Sequence, residues 1–177
     1  MRFAIPLVVL VGLLALFVVG LQHDPRELPS PLIGKAAPAF DLPVIAFPKA
    51  EIPPTRMTTA DLKGKPKLVN FFASWCAGCQ VEHPFLMQLR VSGQAELVGV
   101  DYKDADKDVR AWLAQRGNPY TPILADLDGK VGIDWGVYGV PETFVLDGNG
   151  VIIYKQIGPM TAEAWETKIK PLLGKAS

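Results

Sequence analysis

Residues 67–79 read KLVNFFASWCAGC, and the choice of fold turns on them. Lys67 to Phe72 is a short run, apolar except for Lys67 and Asn70, of the kind that forms a buried strand. Ser74 and Trp75 break it. From Cys76 the pattern becomes helical, with Phe85, Leu86 and Leu89 on one face. Cys76 and Cys79 therefore stand where a strand hands over to a helix. Unpaired amides and the helix dipole favour an anion at that end. Cys76 is thus expected to be the exposed attacking thiolate, and Cys79, one turn further in, the sheltered resolving thiol. Ala77 and Gly78 are small enough to let a partner chain approach the sulfur.

Working outward, Glu96 to Asp101 reads as a second strand. Asp106 to Gln115 reads as a helix with Val109, Trp112 and Leu113 inward, closed by Gly117. Thr143–Leu146 and Val151–Tyr154 read as a hairpin across Asp147-Gly148-Asn149-Gly150. Thr161 can cap a last helix carrying Trp165, Ile169 and Leu172. The first half is a βαβ unit, which implies parallel strands and a right-handed crossover. The second half is an antiparallel hairpin covered by a helix. Upstream, Phe40 to Val44 is a short apolar piece, residues 46–56 read as loop, and Thr58 to Leu62 could form one capped turn.

Phe3 to Leu21 is a 19-residue stretch without charge. A bilayer core of about 30 Å takes about 20 helical residues, so the stretch is long enough for a membrane anchor. A cleaved signal peptide has a shorter apolar core and a small-x-small cleavage site; Gly20-Leu21-Gln22 offers none. Arg2 precedes the stretch and Asp24 and Glu27 offset Arg26 after it, which puts the N-terminus in the cytoplasm and the rest outside. Pro25, Pro29, Pro31 and Pro38 suggest an extended tether.

Composition narrows the chemistry. Lysine plus arginine and aspartate plus glutamate number 18 each, so no broad basic field serves nucleic acid. Two cysteines cannot staple a disulfide mini-domain. A structural zinc site needs about four ligands. The only histidines, His23 and His83, are far apart in sequence. A copper carrier is a rival, since two thiolates suit Cu(I). His83, four residues past Cys79, reads more simply as a partly exposed helix residue.

The stretch VNFFASWCAGC resembles the active-site segment of the thioredoxin superfamily, with Pro84 at the place of its helix-kinking proline and Val140-Pro141 at its cis-proline loop. Trp75-Cys76-Ala77-Gly78-Cys79-Gln80-Val81-Glu82-His83-Pro84, Gly136 to Phe144 (GVYGVPETF) and Gln156 to Thr161 are similar to segments of the DsbE/CcmG family of cytochrome c maturation. The opening Gly34-Lys35-x-x-Pro38-x-Phe40 fits as well. The resemblance implies an α/β, thioredoxin-like fold with a central mixed sheet flanked by helices. Residues 1–21 would be a transmembrane anchor, 22–35 a linker and 36–177 the domain.

It also implies a periplasmic protein-disulfide reductant needing no metal or organic cofactor. Electrons would come from a membrane thiol transporter of the DsbD/CcdA type. They would pass to the haem-attachment disulfide of apocytochrome c, directly or through a CcmH-type thiol protein. Pro141 is expected cis, with backbone of Val140 pairing with the substrate chain, and Trp75 and Tyr138 are expected to shape the groove. General thioredoxins carry a buried Asp where this chain has Asn70, so proton transfer to Cys79 falls to Glu82 or, second, to Glu142. Acids near the thiols disfavour the thiolate and make the pair a reductant. A general extracytoplasmic thioredoxin-like reductase is the nearest rival. A peroxidase, suggested by Pro38-x-Phe40, lacks Thr and Arg partners beside Cys76.

Overall fold

The computed structural model describes residues 4–21, 30–47 and 55–174. Ala4–Leu21 is a helix (α1) with no charged residue in any of its turns. At 1.5 Å per residue its 18 residues rise about 27 Å, a little under the hydrocarbon core. Among the described residues no helix is long and apolar enough to cross a membrane. The residues on which the orientation of the N-terminus was read, and most of the expected tether, lie outside the described residues.

Five strands form the central sheet in the order β5-β4-β3-β6-β7. These are β3 (Lys67–Phe72), β4 (Glu96–Tyr102), β5 (Ile123–Asp126), β6 (Glu142–Leu146) and β7 (Ile152–Ile157). β3, β4 and β5 run parallel, while β6 and β7 are antiparallel, so the sheet is mixed as expected. Between the parallel strands run α2 (Ala77–Ser92) and α3 (Asp106–Arg116). Leu86 and Leu89 of α2, with Val109 and Leu113 of α3, pack on the face that holds Leu68 and Phe72. The C-terminal helical stretch covers the same face through Trp165 and Ile169, and Thr161 Oγ1 caps it by accepting from Ala164 N at 3.1 Å. That stretch runs from α5 (Ala162–Ala164) through a π-helical turn (Trp165–Ile169) to α6 (Lys170–Leu173).

The opposite face is closed by α4 (Lys130–Asp134) and by a small hairpin of β1 (Asp41–Pro43) and β2 (Arg56–Thr58). Its centre is Trp135, whose ring meets Phe40, Phe71 and Phe144 at centroid distances of 6.3, 5.5 and 5.1 Å. After β2 comes the expected capped turn, in which Asp61 Oδ2 accepts from Thr58 N at 2.8 Å.

Three readings need correction. The sequence pattern marks no element at Ile123–Asp126 or Lys130–Asp134, where the structure has β5 and α4. β5 has only four residues, all buried, so it shows no alternation. Asp126 starts α4 by accepting from Val131 N at 3.2 Å and Gly132 N at 2.8 Å. Arg56 belongs to β2 rather than to a loop: it stands opposite Pro43 in the β1–β2 register, and its guanidinium donates to Asp41 Oδ1 at 2.7 Å and to the Asp41 carbonyl at 2.8 Å. Lastly, backbone pairing with the domain starts before residue 36. Gly34 N donates to the Ile152 carbonyl at 2.8 Å, and Ile152 N to the Lys35 carbonyl at 2.9 Å.

Trp135 is fully buried, and its Nε1 has no hydrogen-bond partner among the described residues. Trp135→Ala is expected to destabilise the domain by about 3–5 kcal/mol. Trp135→Phe, which loses no hydrogen bond and leaves a smaller void, should cost less, about 1–3 kcal/mol. Chemical denaturation of the two variants reads the difference directly.

Candidate active site

β3 ends at Phe72 and α2 begins at Ala77, so the cysteine motif forms the turn between them. Cys76 is the N-cap of α2: its Sγ accepts from Cys79 N at 3.0 Å, and its carbonyl accepts from Gln80 N at 3.2 Å. Cys76 and Cys79 are joined in a disulfide, with their Cα atoms 5.3 Å apart. Sequence placed Cys76 on the surface. In the disulfide form it keeps 4% of its surface, against 1% for Cys79. The cover comes partly from the loop before β6, whose Val140 carbonyl oxygen lies 3.3 Å from Cys76 Sγ.

The Val140–Pro141 bond is cis, as expected, and so is Thr121–Pro122. Gly78 sets how closely the loop and the motif approach. A Cβ there would lie 2.9 Å from Pro141 Cδ and 3.5 Å from Pro159 Cγ. Trp75 is 59% exposed, with its Nε1 donating to the Lys103 carbonyl at 3.1 Å. Tyr138 is 83% exposed. Two aromatic rings thus lie at the surface on the motif and on the cis-proline loop, positions suited to gripping a polypeptide.

Beneath the disulfide lies a buried polar network. Cys79, Glu82, His83, Leu86 and Leu89 are the buried residues of α2, a single stripe at helical spacing. Glu82 is 1% exposed. Its Oε1 accepts from Asn70 Nδ2 at 3.0 Å and its Oε2 from Met160 N at 2.7 Å. Asn70 also donates to Thr143 Oγ1 at 3.0 Å and accepts from the Tyr120 hydroxyl at 2.8 Å. Tyr120 is stacked on Phe72 at 4.4 Å. Loss of water raises the Glu82 pKa to about 7, despite the opposing pull of the Met160 amide and the Asn70 side chain. A carboxyl that titrates near neutrality can hold or release a proton beside Cys79.

Glu142 takes a different place. On β6 it faces the side of the sheet away from α2, since it pairs across from Phe71 whereas Thr143 pairs with Asn70. Its Oε2 is 2.8 Å from Lys155 Nζ and its Oε1 accepts from Tyr138 N at 3.1 Å. The structure therefore unites Cys76, Cys79 and Glu82 on one face and sets Glu142 behind the cis-proline loop. Its expected part in proton transfer to Cys79 does not fit that position, because the β-strand alternation turns it to the other side.

Sequence reasoning also missed several residues. His83 is buried, with its ring edge-on to Trp112 at 4.6 Å and Nε2 3.3 Å from the Arg116 carbonyl. Burial lowers its pKa. The signal was available: residue 83 lies on the stripe of Cys79 and Leu86. Asp101 is wholly buried in β4, and its pKa is pushed up to about 8, first by burial and then by the charge of Asp104. Asp104 Oδ2 in turn accepts from Ser74 N at 2.6 Å, which pins the start of the cysteine turn. Among the described residues no group of three or more His, Cys, Asp or Glu could hold a metal.

The Redoxin family model matches residues 32–172. The thiol:disulfide interchange protein HelX of Rhodobacter capsulatus is 47% identical over 171 residues, covering 96% of this chain and 93% of that protein. The thiol:disulfide interchange proteins DsbE of Allochromatium vinosum and Escherichia coli K12 are 42% and 41% identical, each over 98% of this chain and over 93% and 94% of their own. Among solved structures, a DsbE-type thiol:disulfide interchange protein from Chlorobium tepidum superposes with a TM-score of 0.65 at 24% identity. It covers 79% of this chain and 95% of its own.

Because folding raises the Glu82 pKa from 4.5 to about 7, the folded state holds that proton more tightly than the unfolded one. Stability from this group is full below pH 4.5 and is lost as pH rises through 7, on the order of 3 kcal/mol across that window. Urea denaturation of the oxidised protein at a series of pH values should show that decline. The Glu82→Gln variant should show a flatter profile over the same range.

Proposed function

The chain belongs to the Redoxin family, in its DsbE/CcmG group, and is a dithiol–disulfide oxidoreductase; from that premise we propose that it works as a reductant in cytochrome c maturation. Its substrate is the haem-attachment disulfide of apocytochrome c, met directly or through a CcmH-type thiol protein. A DsbD/CcdA-type membrane thiol transporter restores the dithiol. The observation that carries the reading is the buried Glu82, held by Asn70 and Met160 beside the redox pair. A carboxylate in that position disfavours a nearby thiolate, and a less stabilised thiolate makes a weaker oxidant.

The Cys76 thiolate attacks one sulfur of the substrate disulfide, and the other sulfur leaves as a thiolate. Cys79 gives its proton to Glu82 or to water and attacks Cys76 Sγ. The second substrate thiolate is released, and two electrons have moved from the protein to its partner. No metal or organic cofactor takes part. The partner chain runs along Val140, whose carbonyl sits beside Cys76 Sγ.

The same reading places the domain in the periplasm on a single N-terminal anchor. Support comes from the uncharged stretch Phe3–Leu21 and from α1, whose described side chains are all exposed. Deletion of residues 1–21 should move the protein from the membrane fraction to the soluble periplasm with its disulfide chemistry intact. A full-length protein that washes off membranes at high pH would exclude the anchor.

Cys79→Ser leaves the mixed disulfide on Cys76 unresolved, so partners should be recovered covalently bound from cells. A CcmH-type thiol protein or an apocytochrome c is expected in that set. Recovery of diverse periplasmic disulfide proteins alone would replace this reading with a general reductase.

A further inference from the structure

We propose that Lys155 is a positioning residue for partner binding, its ammonium fixing the loop 136–141 that presents Val140 and Tyr138 to an incoming chain. The inference rests on the reading that partners dock along Val140. Lys155 lies on β7, and its side chain is almost wholly buried, as is that of Glu142. Its Nζ makes three contacts with the loop and its border. It donates to the Gly136 carbonyl at 2.7 Å, pairs with Glu142 Oε2 at 2.8 Å, and lies 4.7 Å from the centre of the Tyr138 ring. The second Glu142 oxygen accepts from Tyr138 N. The ion pair therefore grips the loop at its first residue and at its exposed aromatic. Its far end is fixed through the chain itself, where Glu142 follows Pro141 and the Pro141 carbonyl accepts from Gly158 N at 3.0 Å.

Stability alone gives this arrangement little reason. Burying two opposite charges costs desolvation that their attraction only roughly repays, and an apolar pair of similar volume often serves a core as well or better. An apolar pair could not hold a carbonyl, an amide and an aromatic face at one point. The pair sits on the sheet face away from Cys79 and Glu82, so it takes no part in moving electrons or protons. Its effect falls on where the loop presents its backbone and its ring. The Tyr138 ring rests on the ammonium and remains 83% exposed, free to meet a partner.

The test separates sulfur chemistry from docking. Reduced wild type, Lys155→Arg, Lys155→Met and the double variant Glu142→Gln/Lys155→Met are each reacted with three disulfides. One is 5,5′-dithiobis(2-nitrobenzoic acid), which reports thiolate reactivity. The others are two oxidised peptides of similar length, one bearing Cys-x-x-Cys-His and one bearing Cys-x-x-Cys in an unrelated sequence. Lys155→Met should keep the small-disulfide rate within about twofold. Its half-saturating concentration for whichever peptides the wild type reduces should rise about tenfold, with a limiting rate changed less than about threefold. Lys155→Arg should restore the wild-type value. The double variant leaves no unpaired buried charge to disturb folding, and should repeat the Lys155→Met pattern. Unchanged half-saturation in the double variant, or an equal loss of rate on all three disulfides, would overturn the proposal. A wild type that reduces the unrelated peptide but not the Cys-x-x-Cys-His peptide would count against cytochrome maturation, while the Lys155 comparison still runs on the unrelated one.

Discussion

A carboxyl group sealed from water beneath a disulfide governs this site. Glu82 can be tolerated there only because two donors reach it, one from a strand and one from the chain after β7. The Asn70 side chain has further obligations. Asn70 is also bonded to Thr143 and Tyr120, so one amide ties β3, β6 and the segment before β5 to the acid on α2. A buried polar network is rigid when every member is satisfied and costly when one is missing. The alignment of α2 on the sheet is thus set by polar geometry as well as by Leu86 and Leu89.

The second wall of the site is set independently. The loop 136–141 is fixed from behind by a buried ion pair and from the side by the strand contact of Pro141 with Gly158. Met160, two residues past Gly158, donates to Glu82. The GPMT stretch therefore joins the two walls, bonding the cis-proline loop at one end and the acid at the other.

Much of this could be seen in the sequence, and what was missed was hidden for separate physical reasons. The strand, cysteine turn and helix were visible because apolar run, turn and helical stripe follow one another within about 25 residues. The β6–β7 hairpin showed through its Asp147–Gly150 turn, and Thr161 as a cap through local bonding. The Asn70–Tyr120 and Glu142–Lys155 bonds join residues far apart in the chain, and no periodicity announces such partners. His83 was a different failure. It lies on the buried stripe of α2 with Cys79, Glu82 and Leu86, yet a polar side chain invites a surface reading. Weighing position on the stripe above side-chain polarity would have buried it. β5 escaped because its four residues are all buried and show no alternation, and α4 because five residues make little more than one helical turn.

Gly78 ties two properties that are usually treated apart. A Cβ at residue 78 would lie 2.9 Å from Pro141 Cδ. A larger side chain there must push the cysteine turn and the cis-proline loop apart, so on the proposed docking along Val140 a change between the cysteines would also shift the backbone offered to a partner.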